Sequence, residues 1–148
     1  MPQSLVKNYI HLIFSTKRRE NKIHIEDYEA LRAFLIGILS SIGCYLIEFG
    51  GTENHVHILL ILNKKLSMSE MVGKIKSNTS RWIHKRNNSE FSWQEGYGAF
   101  SVSQTKIEVV RQYIQNQIEH HKKKTFEDEY RAFLKAYCIE WDEKYVWD

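Results

Sequence analysis

The chain has 148 residues, enough for one domain with a real hydrophobic core. Its 43% hydrophobic and 26% charged residues give the balance of a globular protein, and no apolar run nears the ~20 residues that cross a bilayer, which excludes a membrane span. The net charge of +3 permits a polyanionic partner without demanding one, so the placement of the basic residues matters more than their sum.

No secretory signal opens the chain, and a cytoplasmic location is the default expectation. Two cysteines, Cys44 and Cys138, lie far apart without metal-type spacing, and are expected as free, buried thiols. There is no linker, repeat or low-complexity segment, so residues 1–148 read as a single domain.

In chain order, "VKNYIHLIFST" (6–16) is β-rich and predicts a first strand. Between Ile25 and Ile42, Leu31, Phe34, Leu35, Ile38, Leu39 and Ile42 recur at helical spacing, and Gly43 stops that helix. "CYLIEFGGTENHVHILLILN" (44–63) predicts two strands of a hairpin with its break at Gly50-Gly51. A second helix is expected over 67–85, apolar at Met68, Met71, Val72, Ile75, Trp82 and Ile83. Lys74, Asn78, Arg81 and Lys85 form a separate polar, largely basic stripe on it. "FSWQEGYGAFSVS" (91–103) alternates and is punctuated by glycine, as a strand or a bent hairpin would be. A third helix covers 106–122 with Ile107, Val110, Ile114 and Ile118 facing inward. A fourth starts at Thr125, an N-cap followed by an acidic first turn, and buries Tyr130, Phe133, Leu134 and Tyr137. The aromatic tail, "IEWDEKYVWD", is expected to pack on something. The order β-α-β-β-α-β-α-α predicts an α+β domain of ferredoxin-like kind, an antiparallel sheet with flanking helices.

Candidate chemistry begins at His55 and His57. Side chains alternate along a strand, so both imidazoles point to one face, a natural pair of metal ligands. His-x-His alone is a short motif that also occurs as two satisfied histidines at a strand end. On the third helix Tyr113 and Gln117 are four residues apart and share a face, with His120 near the same line. That polar stripe borders the isoleucine stripe, where a site could form against the sheet. A tyrosine at such an edge is also an ordinary packing residue with a wet hydroxyl. The basic groups "TKRRE", "KIKSNTSRWIHKR" and "HHKKK" read either as solvated faces or as contacts to a polyanion.

These residues resemble the small single-tyrosine HUH transposases of bacterial and archaeal insertion sequences, the IS200/IS605-like kind that includes REP-associated tyrosine transposases. "HVH" matches their HUH motif, "YIQNQIEHH" looks like their tyrosine helix, and "FSWQEGYGAFSVS" is similar to their Trp-Gln, Gly-Tyr-Gly and Phe-Ser segment. "NYIHLIFSTKRRE" and "IEWDEKYVWD" resemble the family's ends; Cys138 departs from an expected glycine without touching a site residue.

The resemblance implies the HUH endonuclease fold and cleavage of single-stranded DNA at hairpin-bearing ends. Tyr113 would be the nucleophile and would carry a 5′-phosphotyrosine. His55 and His57 would hold Mg²⁺ or Mn²⁺. Gln117 is the chosen third ligand, with His120 as its rival, while Asn116 and His121 are expected to be structural or DNA-proximal. Lys17, Arg18 and Arg19, with Lys74, Arg81 and Lys85, are the candidates for DNA contact. Trp93, Tyr97 and Phe100 either stack on bases or belong to the core. The resemblance further implies a homodimer in which active sites are shared between subunits. The competing readings are a transposase-derived regulator that binds hairpins without cutting, a replication initiator or relaxase, and an RNA-processing protein.

Overall fold

The computed structural model describes residues 2–20, 22–86 and 88–148. Four strands form one antiparallel sheet: β1 (Tyr9–Ser15), β2 (Tyr45–Gly51), β3 (His55–Ile61) and β4 (Gly98–Ser101). The spatial order is β2-β3-β1-β4. Helices α1 (Tyr28–Ser41) and α2 (Met68–Arg86) connect them as β1-α1-β2-β3-α2-β4, which is the ferredoxin-like α+β arrangement expected. Three more helices follow: α3 (Ile107–Gln115), α4 (Gln117–His120) and α5 (Phe126–Ala136).

The period of two along the strands divides the core. Ile10, Leu12 and Phe14 of β1, with Val56, Ile58 and Leu60 of β3, face α1 and α2 and meet Leu31, Leu35, Met71, Val72 and Ile75. On the other face Ile13 of β1 and Phe100 of β4 pack on Phe126, Tyr130 and Leu134 of α5. β1 and β3 are central and buried, so each reads as a nearly continuous apolar run. The buried polar exceptions to that run are His11 and Ser15 of β1 and His55 and His57 of β3, all on the α5 face.

Several local expectations shift. Gly50 and Gly51 do not break the hairpin; they end β2, and the turn lies at 52–54, closed by the Thr52 amide donating to the His55 carbonyl at 3.1 Å. Tyr28 clamps that turn by donating its hydroxyl to the carbonyls of Thr52 and His55. The segment 91–103 is strand only at β4, with Trp93 in an isolated bridge to Thr16. Trp93 and Phe100 are core residues and Tyr97 packs against the core, so the base-stacking alternative loses its free rings. The helix expected over 106–122 breaks at Asn116, which leaves helical geometry between α3 and α4. Ile118 is consequently exposed rather than inward, and Tyr137 is exposed at the end of α5. Cys44 is buried as expected, but Cys138 is exposed, in the positive-φ turn after α5. Thr125 does cap α5, its side chain accepting from the Asp128 amide. The aromatic tail packs: Trp141, Val146 and Trp147 lie on the α5 side of the core.

Two features seat α3, which carries Tyr113, on β2. Glu48 is buried, and burial alone would raise its carboxyl; side-chain bonds from Arg32 of α1 and Gln115 of α3 hold it below the usual range instead. Arg111 adds a second α3 contact at 3.4 Å. Gly50 then lets the backbones meet: a Cβ there would stand 2.8 Å from the Ile114 carbonyl oxygen and 3.0 Å from Ile114 Cγ2. Gly50→Ala is therefore expected to push α3 off the sheet and to cost ~1–3 kcal/mol, the usual scale of overpacking. Denaturant unfolding checks this, and an unchanged midpoint would contradict the close approach.

Candidate metal and tyrosine site

β3 supplies the centre of the site. The Thr52–His55 turn fixes where the strand starts, so His55 and His57 emerge on the face away from α1 and α2. Both side chains are fully buried. His55 Nδ1 lies 2.9 Å from both Asn54 Oδ1 and Thr52 Oγ1, which orients the ring and leaves Nε2 facing inward. His57 Nδ1 lies 2.8 Å from His11 Nε2 on the neighbouring strand, again leaving Nε2 inward.

Opposite them stands Glu129 of α5, only 2% exposed. Its Oε1 is 3.0 Å from His57 Nε2, 3.1 Å from His121 Nε2 and 3.7 Å from His55 Nε2. Its Oε2 accepts from the Tyr113 hydroxyl and, at 3.1 Å, from Gln117 Nε2. Gln117 Oε1 in turn lies 2.9 Å from His55 Nε2. His120 sits on the outer side, 3.3 Å from Glu129 Oε2 and 3.4 Å from the Tyr113 oxygen.

The donor set fits a divalent cation. One ligand atom from each of His55, His57, His121 and Glu129 falls within 4.8 Å of the others. His121 Nε2 is buried without a hydrogen-bond partner; its approach to Glu129 lacks bonding geometry. Two ligand atoms each ~2.1 Å from one ion and at right angles stand ~3 Å apart, the spacing several of these pairs have. Three imidazoles with one carboxylate favour a transition ion such as Mn²⁺ over Mg²⁺.

Burial sets the protonation. It pushes His55 down to about 3, with His57 adding to the effect and Gln117 and Glu129 opposing it. His11 is held well below the usual imidazole range by burial and then by His57. Burial works to raise the Glu129 carboxyl, but His121, His57 and the Tyr113 hydroxyl outweigh it and hold it well below the usual range. Burial raises Tyr113, and the Glu129 charge raises it further, so its hydroxyl keeps its proton and donates.

Two clefts reach this cluster. One, of about 440 Å³, runs past Asn54, His121, Lys122, Lys124 and Thr125. The other, of about 230 Å³, opens on Tyr113, His120, Glu129 and Phe133, with Lys124 again at its rim. Lys17 and Arg18 are exposed just past the end of β1, where Ser15 pairs with His55; Arg19 is half-buried between Glu127 and Trp147. Lys74, Arg81 and Lys85 are exposed on α2, in the layer on the opposite face of the sheet.

The structure thus brings His55, His57, Tyr113 and Gln117 together within one chain and leaves the α2 stripe apart. Sequence reasoning missed Glu129, His121 and His11 as members of the cluster. Glu129 had a readable signal: it interrupts the apolar stripe of Phe126, Tyr130 and Leu134, with half-buried Phe133, at helical spacing. His11 needed the β1–β3 register.

A family model for IS200-like transposases matches residues 4–117. The transposase for insertion sequence element IS200 of Salmonella typhimurium is 26% identical over 120 residues, 76% of this chain and 78% of that protein; the Salmonella typhi protein matches equally. A crystal structure of a candidate transposase from Deinococcus radiodurans shares the fold with a TM-score of 0.62 and 24% identity, covering 79% of this chain and 98% of that one. A REP-associated tyrosine transposase bound to a REP hairpin shares it with a TM-score of 0.57 and 15% identity, covering 83% and 72%.

The depressed histidines predict a pH dependence. Unfolded, His55 and His11 take up protons near 6.5; folded, they stay neutral well below it. The unfolded state then binds more protons, so this stability is complete above 6.5 and is lost as pH falls, at about 1.4 kcal/mol per pH unit for each group. Glu129 adds loss in the same direction below its ordinary 4.5. Chelator-treated protein should show a Tm that falls steadily from about pH 7 to about pH 5; a flat Tm would contradict neutral, buried imidazoles.

Proposed function

The chain belongs to the IS200-like transposase family, and from that premise we propose that it cuts and rejoins single-stranded DNA through Tyr113. The observation that supports this reading is the convergence of the Tyr113 hydroxyl, His55, His57 and Gln117 around one buried carboxylate. His55 and His57, with Gln117 as third ligand, would hold Mg²⁺ or Mn²⁺. When bound, the ion polarises the scissile phosphate and offsets the charge that develops on it.

Tyr113 attacks the phosphorus, and the bond from phosphorus to the 3′ oxygen breaks. The 5′ phosphate stays on the tyrosine, and the proton the tyrosine loses is balanced by the one the departing 3′-OH gains. Attack on the phosphotyrosine by a 3′-OH then reverses the step and joins strands without ATP. Lys124, at the rim of both clefts, would receive the backbone phosphate as it enters.

The relative bound to a REP hairpin supports a hairpin as part of the substrate. Lys17, Arg18 and Arg19 at the site end of the sheet would track the strand to be cut. Lys74, Arg81 and Lys85 on the opposite layer would meet a more distant part of the same DNA. The resemblance implies a homodimer with shared sites; within one chain, by contrast, Tyr113 lies beside its own histidine pair, with Tyr113 and His57 ring centres 5.8 Å apart, and the proposed reaction uses that within-chain arrangement.

Incubation of the protein with labelled single-stranded DNA carrying imperfect hairpins and Mn²⁺ is expected to give an adduct that resists denaturation. Tyr113→Phe should abolish the adduct while leaving hairpin affinity within a few-fold. His55→Ala combined with His57→Ala should lower its yield at least a hundred-fold. Tight binding without any adduct would favour the non-cutting regulator instead.

A further inference from the structure

We propose that Glu129 is itself a ligand of the divalent ion, together with His55, His57 and His121, and that its second oxygen positions Tyr113 beside that ion. The inference rests on the tyrosine-transposase reading above and adds to it a residue from α5, outside the residues 4–117 that the family model matches.

The two oxygens of Glu129 have different company. Oε1 faces nitrogen: His57 at 3.0 Å, His121 at 3.1 Å and His55 at 3.7 Å. Oε2 faces the reacting side: the Tyr113 hydroxyl, Gln117 Nε2 at 3.1 Å and His120 Nε2 at 3.3 Å. One rigid carboxylate therefore touches both the donor cluster and the nucleophile. A buried carboxylate among imidazoles gains most from a cation that all of them can share. His121 Nε2, buried 3.1 Å from Oε1 but without hydrogen-bonding geometry toward it, is the donor-set atom that the protein's own hydrogen bonds leave unsatisfied.

The surroundings hold the ligands in place. Phe126, at the start of α5, packs at a tilt of 31° against the His55 ring with centres 4.6 Å apart. Phe133, two turns on, packs edge-on against His11 at 5.2 Å and lies 6.5 Å from His57. His11 fixes the far nitrogen of His57. Gln117, by donating to Oε2, orients the carboxylate whether or not its own oxygen also reaches the ion.

The test is Mn²⁺ binding by the full chain after chelator treatment, followed by calorimetry and by electron paramagnetic resonance of free Mn²⁺. Glu129→Gln keeps the shape and loses the charge, and is expected to raise the Kd for Mn²⁺ at least ten-fold, with His121→Ala raising it several-fold. Tyr113→Phe should leave it within two-fold. Affinity of Glu129→Gln within two-fold of the wild type overturns the assignment.

If that variant does not fold, electron–nuclear double resonance on wild-type protein carrying ¹³C-carboxylate glutamate serves instead. A ¹³C coupling to Mn²⁺ is expected, and its absence overturns the proposal. Positioning is read separately with Glu129→Ala at Mn²⁺ levels that saturate it: adduct formation should stay at least ten-fold slow, and a wild-type rate overturns the positioning role. A wild-type chain that binds Mn²⁺ through Glu129 but never forms an adduct overturns the transposase reading and leaves the ligand assignment standing.

Discussion

A carboxylate that is 2% exposed must find partners inside the protein for every lone pair, and Glu129 finds them on three separate stretches of chain. β3 offers His57, α3 offers Tyr113, and the segment after the Asn116 break offers Gln117, with His121 at 3.1 Å but outside hydrogen-bonding geometry. Leaving such a group without partners would cost several kcal/mol, so the position of α5 is tied to that of α3 and to the strand register. Gly50 and Glu48 act from the other side, pulling α3 onto β2. The tyrosine is thereby fixed from two directions, by a close backbone approach and by a buried charge.

Legibility in the sequence followed the range of the interaction. The β-α-β-β-α-β order was readable because hydrophobic period is local, and so were the Thr125 cap and the Gly43 stop. His55 and His57 were readable because alternation along one strand puts them on one face. What the sequence hid were contacts that depend on two elements at once. The break at Asn116 carries no proline or glycine and divides a stretch whose helical period continues across it. His121 reads as structural or DNA-proximal from the sequence; its place in the cluster follows from the break at Asn116 and the docking of α5. Glu129 reads as a member of an acidic first turn, the ordinary place for a carboxylate; helical spacing puts it on the inward face, but which partners it meets there depends on tertiary packing.

The sheet also sorts the basic residues by face. Lys76 illustrates the difference between charge and available charge. It belongs to the basic run of α2, yet its ammonium donates to the carbonyls of Gln94, Glu95 and Gly96, and burial brings it down to about 8. It ties down the loop that precedes β4 and has no donor to spare for a phosphate. Lys74, Arg81 and Lys85 on the same helix point outward, while the residues nearest the tyrosine pocket are His120 and Lys124. A count of lysines and arginines along the sequence cannot make this separation, because it arises from which side of a helix meets the sheet.

The hairpin that presents the histidines turns over three residues, whereas the contact from His57 to Glu129 spans 72 positions. Closing a short turn is fast, and long-range pairings come later because the entropy of the intervening chain must first be lost. The order of folding therefore separates the two halves of the centre in time. The strands can pair and bury their first face against α1 and α2 while the histidines still look out on solvent, and the carboxylate arrives only when the last helix docks. On that ordering the buried cluster around Glu129 closes last, after the sheet and its first helical layer are in place.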